Sequence, residues 1–208
     1  MIIEFGNPGA RVLHRAIRER DRITSVVYSV LTRTWLTLWG AKYGARLHVR
    51  GWPIVRRAIS STLQIGSDCT FLSAKSANPA GLNRPCYLCT LREGATLRIG
   101  NNCGFSSTVI CAMTSVIIGN NVGCGANTTI IDTDFHNVAL RLRRAYPILG
   151  NAPVVIEDNV WLGMYVTVLK GVRIGAGTVV AAGSVVSRDL PAGVIAGGVP
   201  ARILRPMT

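Results

Sequence analysis

Between Ile156 and Pro191 the apolar residues recur every six positions, in six hexads without a break. The first position of each hexad is aliphatic, in Ile156, Leu162, Val168, Ile174, Val180 and Val186. The fifth position is small or aliphatic, in Val160, Val166, Val172, Thr178, Ser184 and Leu190. A period of six fits neither an α-helix nor a lone strand. It predicts a β-helix whose coils have three short flat sides, each with an aliphatic side chain pointing inward.

The same period extends weakly towards the N-terminus. Its inward positions there are predicted at Ile65, Phe71, Ile99, Phe105, Cys111, Ile118, Cys124 and Ile130. Two segments interrupt the period, near 77–85 and at 132–154, and we expect each to be an inserted loop. The sequence therefore predicts a β-helix domain over 47–192, a basic and partly helical extension over 1–46, and a C-terminal tail over 193–208.

The N-terminal extension combines arginines with aromatic residues. Trp35, Trp39 and Tyr43 are spaced i, i+4, i+8 and predict one aromatic face of a helix that stops near Gly40 or Gly44. Two interpretations stay open. The helix could cover the open end of the coil stack, as repeat folds need for solubility. It could instead lie on a membrane, with flanking arginines on anionic lipid. The two can coexist.

The charge of the chain is strongly unbalanced. Its 208 residues include 23 Lys and Arg against 10 Asp and Glu, a net charge of +13. Residues 1–60 contribute 11 basic and 3 acidic residues, or +8. This excess predicts an anionic partner without choosing among lipid, nucleic acid and a phosphorylated small molecule. Arg33 and several Ser and Thr interrupt the first apolar stretch, so neither a signal peptide nor a spanning helix is expected.

The cysteines do not predict a metal site. They are Cys69, Cys86, Cys89, Cys103, Cys111 and Cys124. Cys86 and Cys89 form one CxxC, but no second pair follows at the spacing of a zinc site. We expect buried, reduced thiols in a cytoplasmic protein.

His136 is the strongest candidate for chemistry in the sequence. The chain has only three histidines, and His136 lies in I-I-D-T-D-F-H-N, where the repeat leaves its register. Imidazole is a natural general base for deprotonating a hydroxyl. Asp132 and Asp134 are close enough along the chain for one of them to orient the ring or help hold a substrate.

Four segments carry a resemblance to a known family. They are D-T-D-F-H (132–136), P-V-V-I-E-D-N-V-W-L-G (153–163), G-V-R-I-G-A-G-T-V-V-A-A-G-S-V-V-S-R-D-L-P (171–191) and G-G-V-P-A-R-I-L-R (197–205). With them, residues 95–205 resemble the hexapeptide-repeat acyltransferases, close to the maltose and galactoside acetyltransferases and the O-acetyltransferases of bacterial surface polysaccharides. The resemblance implies an all-β, left-handed parallel β-helix of triangular section and a homotrimer. It also implies acetyl-CoA as a co-substrate between neighbouring prisms, with no permanently bound cofactor and no metal.

The resemblance also implies roles for individual residues. His136 matches the general base, and Asn127 matches an asparagine that touches the acceptor. A backbone N–H near Gly163 and Met164 matches the site that stabilises the oxyanion. Matches to the pantetheine groove are Trp161, Gly163, Met164 and Ala182. Matches to the groups around the phosphates and adenine are Ser187, Arg188, Pro200, Arg202 and Arg205.

The sequence thus favours an acetyl-CoA-dependent O-acetyltransferase acting on a sugar hydroxyl of a bacterial surface-glycan precursor. It would work by direct transfer, in the cytoplasm or at the inner face of the membrane. An N-acetyltransferase of an amino sugar nucleotide on the same fold is the alternative. A γ-class carbonic anhydrase would need three zinc-binding imidazoles, but only His136 lies in the motif-rich region. A nucleic-acid-binding prism would need a recognised motif, and the sequence has none.

Overall fold

The structure is a computed structural model that describes residues 8–145 and 147–207. Parts of the predicted extension, second loop and tail, namely residues 1–7, Tyr146 and Thr208, lie outside the described residues. Within the described part a long N-terminal helix precedes twenty short strands, which wind into a prism.

The helix α1 spans Pro8–Leu38, and two single-turn 3₁₀ helices span Lys75–Ala77 and Leu140–Leu142. The strands are β1 (Lys42–Tyr43), β2 (His48–Arg50), β3 (Ile54–Arg57), β4 (Thr62–Ile65), β5 (Thr70–Leu72), β6 (Tyr87–Thr90), β7 (Thr96–Ile99), β8 (Gly104–Ser106), β9 (Val109–Ala112), β10 (Ser115–Ile118), β11 (Gly123–Cys124), β12 (Thr129–Ile131), β13 (Val154–Ile156), β14 (Trp161–Leu162), β15 (Thr167–Val168), β16 (Arg173–Ile174), β17 (Val179–Val180), β18 (Val185–Val186), β19 (Val194–Gly198) and β20 (Ala201–Pro206).

The strands form three sheets because, from β1 to β18, each strand pairs with the strand three places further along the chain. Strands β19 and β20 then extend the second of these sheets. Sheet A has the order β1-β4-β7-β10-β13-β16, sheet B the order β2-β5-β8-β11-β14-β17-β19-β20, and sheet C the order β3-β6-β9-β12-β15-β18. All pairs are parallel except β19 with β20, which form an antiparallel hairpin. Each coil therefore runs from sheet A to B to C, and the prism has three edges, A–B, B–C and C–A.

The predicted inward positions form the core. All six first positions of the clean hexads have no solvent exposure, and the fifth positions are at most 6% exposed. Two inward residues per side fit strand geometry, since alternate side chains point to the same face. This part of the sequence prediction is confirmed.

The inward position predicted at Cys111 is wrong. Strand β9 aligns Ile110, not Cys111, with the buried Leu88 and Ile130 of the neighbouring coils. Cys111 pairs in register with Cys89 and therefore lies on the outer face of sheet C. The reason is local: the corner after Phe105 uses five residues instead of six, which reverses the alternation for the next strand.

The described cysteines are all free and buried, as expected for thiols that serve packing. Burial raises the pKa of Cys86 and of Cys124, so both thiols stay protonated at neutral pH. Cys124 stacks between Phe105 and Leu162 inside the prism, where the repeat predicted it.

Edge A–B carries a ladder of polar side chains. The N–H of Asn101 donates to Oδ1 of Asn120 at 2.9 Å, and the N–H of Asn120 donates to Oδ1 of Asp158 at 2.7 Å. A side chain at Gly100 would start 2.5 Å from the carbonyl oxygen of Gly119. The recurring Ile-Gly step therefore marks the edge where neighbouring coils approach most closely.

Helix α1 covers the open end of the first coil. Ser29, Thr32 and Leu36 are buried on its inner face. The hydroxyl of Ser29 accepts a 2.9 Å hydrogen bond from the N–H of Val49, which belongs to the edge strand β2. Satisfying an exposed strand edge in this way protects the prism from pairing with another chain.

The helix stops where glycine allows a left-handed residue. Gly40 has φ of +64° just beyond Leu38, as expected for a helix C-terminus. The prediction that Tyr43 continues the aromatic helical face is therefore wrong. Tyr43 belongs to β1, so the first coil begins a few residues before the predicted boundary at 47. Its hydroxyl lies 2.9 Å from that of Thr37.

Candidate active site

Two loops leave the prism at different edges. Residues 73–86 connect β5 to β6 at edge B–C, and residues 132–153 connect β12 to β13 at edge C–A. Both coincide with the predicted interruptions of the period. The candidate site residues cluster around these two loops, so one chain presents two half-sites separated by the width of sheet C.

His136 is exposed on the C–A loop. It follows a tight turn in which Phe135 has φ of +60° and its N–H donates to the hydroxyl of Thr133 at 3.1 Å. Among the described residues, no hydrogen bond to the imidazole of His136 is formed. The ring is therefore available for a hydrogen bond with a molecule that approaches this edge.

Asn137 fastens the loop that carries His136, and the sequence analysis missed it. Its side chain is 4% exposed. The amide nitrogen donates to the carbonyl oxygens of Leu142, Ala145 and Pro147 at 3.0–3.2 Å. Its oxygen accepts the N–H of Leu149 at 2.7 Å. Because both polar atoms of this buried side chain are bonded, Asn137 fixes the backbone next to His136. The sequence alone does not indicate which carbonyl groups it binds.

The role predicted for Asp132 needs correction. Its carboxylate has no solvent exposure and accepts the backbone N–H groups of Met113, Thr114 and Ser115 at 2.6–2.7 Å. Such charge-assisted bonds use the carboxylate to close the corner of the preceding coil. Asp132 therefore neither orients His136 nor faces a substrate.

Asp134 lies near His136 in sequence but forms an ion pair with Lys170. Both side chains are about one third exposed. Lys170 lies at edge C–A of the next coil, so the pair ties the loop down along this edge. Among the described residues, Asp134 forms no hydrogen bond with the ring of His136.

The second half-site is at edge B–C, around Gly163, Met164 and Ala182. A side chain at Gly163 would start 2.6 Å from the backbone nitrogen of Ala182, and one at Gly125 would start 2.6 Å from that of Met164. Glycine at these two positions therefore lets the backbones of neighbouring coils come close together at this edge. The N–H of Gly163 donates to the carbonyl of Val180. Within the described residues the N–H of Met164 donates no hydrogen bond, so it can donate to a bound group.

The B–C loop packs over this half-site. Leu82 and Ala77 pack with Ala126 and with the partly buried Met164. The side chain of Asn83 donates to the hydroxyl of Tyr165 at 3.1 Å. The loop therefore forms a wall beside Met164, a contact that the sequence analysis did not foresee.

Asn127 holds this wall, which corrects its predicted role. Its Oδ1 accepts the N–H of Asn83 at 3.0 Å, and its Nδ2 donates to the carbonyl of Gly81 at 3.0 Å. The residue is 4% exposed and has φ of +63°. With both amide atoms bonded to the loop, Asn127 positions the wall and does not face an acceptor.

The remaining predicted cofactor residues lie on sheet B and at edge C–A. Trp161 is 59% exposed on sheet B, beside a hollow of about 200 Å³ floored by Gly104 and Gly123. Pro200, Arg202 and Arg205 are exposed at the β19–β20 hairpin, which extends the same sheet. Ser187 and Arg188 are exposed at edge C–A, on the side of His136. One chain therefore does not bring the predicted site residues together.

No group of three His, Cys, Asp or Glu side chains among the described residues could hold a metal ion. None of the described helices has an apolar stretch long enough to span a membrane.

The repeating three-sided coils form a hexapeptide-repeat β-helix, and comparison with known proteins finds a family that matches part of the repeat. Residues 153–188 match the family "Bacterial transferase hexapeptide (six repeats)". The chain thus carries the repeat of the bacterial hexapeptide transferases, and the predicted left-handed parallel β-helix is confirmed.

Sequence relatives are named acetyltransferases. The galactoside O-acetyltransferase of Lactococcus lactis is 47% identical over 92 residues, which cover 44% of each chain. The matched part of the chain spans about half the length of the curated relatives.

Solved structures agree over more of the chain. A hexapeptide-repeat acetyltransferase from Vibrio cholerae is 25% identical with a TM-score of 0.57, covering 93% of this chain and 92% of that one. The N-acyltransferase AntD from Bacillus cereus, solved with dTDP and 3-hydroxybutyryl-CoA, has a TM-score of 0.64 at 15% identity, covering 85% and 88%. The second likeness shows the fold alone.

Proposed function

We propose that this chain is an acetyl-CoA-dependent O-acetyltransferase that acts on a sugar hydroxyl, with His136 as general base. The observation that carries the proposal is the exposed His136 imidazole on a loop fastened by the buried Asn137. The name of the L. lactis relative supports acetyl transfer to a galactoside-like hydroxyl. The CoA thioester bound by AntD supports an acyl-CoA donor on this fold.

The reaction is a direct transfer. The acceptor oxygen attacks the thioester carbonyl carbon while His136 takes the hydroxyl proton, which makes the oxygen a better nucleophile. The N–H of Met164 donates to the carbonyl oxygen as it becomes negative. The carbon–sulfur bond then breaks, and the imidazolium returns its proton to the departing thiolate. No acyl-enzyme forms.

The complete site needs two copies of the chain. His136 and the N–H of Met164 lie at different edges of one prism, so one copy cannot apply both to the same thioester. Edge C–A of one copy beside edge B–C of another would bring them together. We propose a homotrimer, the closed arrangement that the family resemblance implies, with acetyl-CoA in each groove between prisms.

Arginines suit the polyanionic co-substrate. Arg188, Arg202 and Arg205 are exposed, and guanidinium groups bind phosphates through paired hydrogen bonds. Arg202 and Arg205 share the hairpin side of sheet B with Trp161, whereas Arg188 shares edge C–A with His136. The phosphates would therefore also meet groups from both copies.

The acceptor is proposed to be a precursor of a bacterial surface glycan, met at the inner face of the membrane. The basic N-terminal segment supports this location, since residues 1–60 carry +8. The hydroxyl of a glycan and the amine of an amino sugar nucleotide present different nucleophiles to His136, so assays with both classes distinguish O-transfer from N-transfer.

Replacing His136 tests the proposal. His136→Ala is expected to reduce turnover by about 10²–10⁴-fold, the usual value of general base catalysis. His48→Ala is the matched control, because His48 is also exposed but lies on the first coil. Acetyl release from acetyl-CoA with a glycan acceptor is the measurement. A His136→Ala variant that keeps more than a tenth of the turnover, with the control unchanged, would refute the assignment.

A further inference from the structure

Helix α1 presents its polar side to the prism and its apolar side to solvent. The residues in contact with the first coil include Ser29, Thr32 and the ion pair of Asp21 with Arg50, at 2.5 Å. Of the large apolar residues in the helix, Leu36 alone is fully buried among those described. Tyr28 packs partly buried against the same core. The helix nevertheless turns most of its aliphatic residues to solvent, whereas the apolar stripe of an ordinary surface helix faces the core.

The outward side forms a continuous apolar surface. Its members share one face of the helix, and their side chains are 46–74% exposed. This outer apolar surface consists of Ile23, Val26, Val27, Val30, Leu31 and Leu38. A contiguous exposed surface of this kind marks an interaction site, whereas scattered single residues do not.

A basic stripe borders the outer apolar surface. Arg11, Arg15, Arg18 and Arg22 have the spacing i, i+4, i+7, i+11, which keeps them on one side of the helix. Arg22 has a 3.8 Å contact with Glu19. Arg11, Arg15 and Arg18 are exposed and form no ion pair with any described residue. The helix thus combines an apolar surface with adjacent, uncompensated positive charge.

We propose that the outer surface of α1 docks on an anionic lipid membrane, with the helix lying in the plane of the interface. The apolar side chains would enter the boundary of head groups and acyl chains, while the basic stripe would contact anionic head groups. At 31 residues the helix is about 46 Å long. Because its inner side caps the first coil, the prism would stand on the membrane by its N-terminal end.

Charge favours lipid over a second copy of the chain as the occupant. A second copy carries the same basic stripe, and pairing two α1 helices would bring the two like-charged stripes together. Nucleic acid would match the arginines but would leave the outer apolar surface in water. An anionic bilayer matches both features at once.

Vesicle binding by matched variants tests the proposal. The apolar variant is Ile23→Gln, Val27→Gln and Leu31→Gln together, and its control is Ile59→Gln, at a residue 86% exposed outside the helix. The charge variant is Arg11→Gln, Arg15→Gln and Arg18→Gln, and its control is Lys42→Gln, Arg56→Gln and Arg98→Gln, three exposed cations outside α1. Glutamine is a good helix former, so both helix variants keep the secondary structure.

Co-sedimentation with phosphatidylglycerol-containing and pure phosphatidylcholine vesicles, at low and physiological salt, is the measurement. We expect the intact chain to bind the anionic vesicles, less so as salt rises. The charge variant should bind about a hundredfold more weakly, because each of the three cations contributes about fivefold. The apolar variant should lose at least about tenfold, because each Gln removes buried apolar area. Both controls should bind as the intact chain does.

Three results would overturn the proposal. One is no binding of the intact chain to anionic vesicles at low salt. Another is equal binding by both helix variants and their controls. The third is a fall in oligomer mass for the apolar variant without vesicle binding by the intact chain, which would assign the surface to a contact between copies. The two variants act through different residues, so poor folding of one leaves the other decisive.

Discussion

At the residue scale, the two carboxylates nearest His136 in the motif have roles that sequence spacing does not reveal. Asp132 closes a corner through three backbone N–H groups, and Asp134 pairs with Lys170. The sequence does not distinguish a carboxylate that faces the imidazole of a candidate base from one that faces backbone N–H groups. The direction of each side chain decides its role, and that direction is set by the backbone of the loop that follows β12.

Asp132→Asn tests this structural role. The amide can accept through one oxygen only, so at least one buried N–H loses its partner. We expect a loss of about 3 kcal/mol in the free energy of unfolding, measured by urea denaturation. Val138→Gln, at an exposed position of the same loop, is the control. An unchanged unfolding midpoint combined with lost turnover would return Asp132 to the catalytic role.

Gly125 tests the donor role of the Met164 N–H. The added carbon of Gly125→Ala would lie 2.6 Å from the nitrogen of Met164, so it must displace or cover that N–H. We expect turnover to fall by about 10²-fold, the order found when one oxyanion donor is lost. Gly104→Ala, which meets no atom within 4 Å, controls for folding and should keep the unfolding midpoint. Normal turnover in Gly125→Ala would exclude this N–H as the donor.

At the element scale, the loops matter more to the site than the strands. The strands place residues at fixed edges, but the B–C loop then folds over the coils that follow it. Its Asn83 contacts Asn127 and Tyr165, 44 and 82 positions away. We infer that this wall shapes the acceptor side of the site beside Met164.

Two substitutions at Asn127 separate the wall from backbone strain. Asn127→Gly removes the amide but keeps φ of +63° accessible, whereas Asn127→Ala removes the amide and adds strain. Both are expected to raise KM for the acceptor about tenfold or more while leaving KM for acetyl-CoA within about twofold, because the loop lies on the acceptor side. Only the alanine variant should lose additional stability, about 1 kcal/mol. Equal effects on both KM values would contradict an acceptor wall.

At the scale of the whole molecule, the separation of the half-sites makes assembly part of the proposed function. His136 and Ser187 lie at edge C–A, and Met164 and Ala182 lie at edge B–C. A single prism of 22.3 kDa therefore holds all the proposed parts but cannot use them together.

Mixed assemblies test the shared site. His136→Ala and Gly125→Ala each damage one half-site, so a trimer containing both chains can form one groove with neither lesion. Refolding the two variants together should restore turnover to at least about ten times that of either alone, given the losses expected for each. Light scattering should give about three times the mass of one chain. Mixed trimers without any restored turnover would place both half-sites of each working site in one copy.

Much of the prism could be predicted from the sequence. The hexads at Ile156 to Pro191 predicted the inward residues and the three-sided coils, and the weaker repeats before them predicted both interruptions. The motif around His136 pointed to the C–A loop. The prediction failed at Cys111, where one corner is a residue shorter. It also failed at Tyr43, where glycine ends the helix before the aromatic spacing does.

The sequence by itself determined the repeat, since one inward side chain per side must recur at a fixed interval for parallel coils to bury their core. It also determined the charge and apolar content of α1. Only the tertiary structure decided which side of α1 meets the prism, which atoms Asn127, Asp132 and Asn137 bind, and that the candidate residues divide between two edges. Those outcomes depend on contacts between residues far apart in the chain, and such contacts leave no period in the sequence.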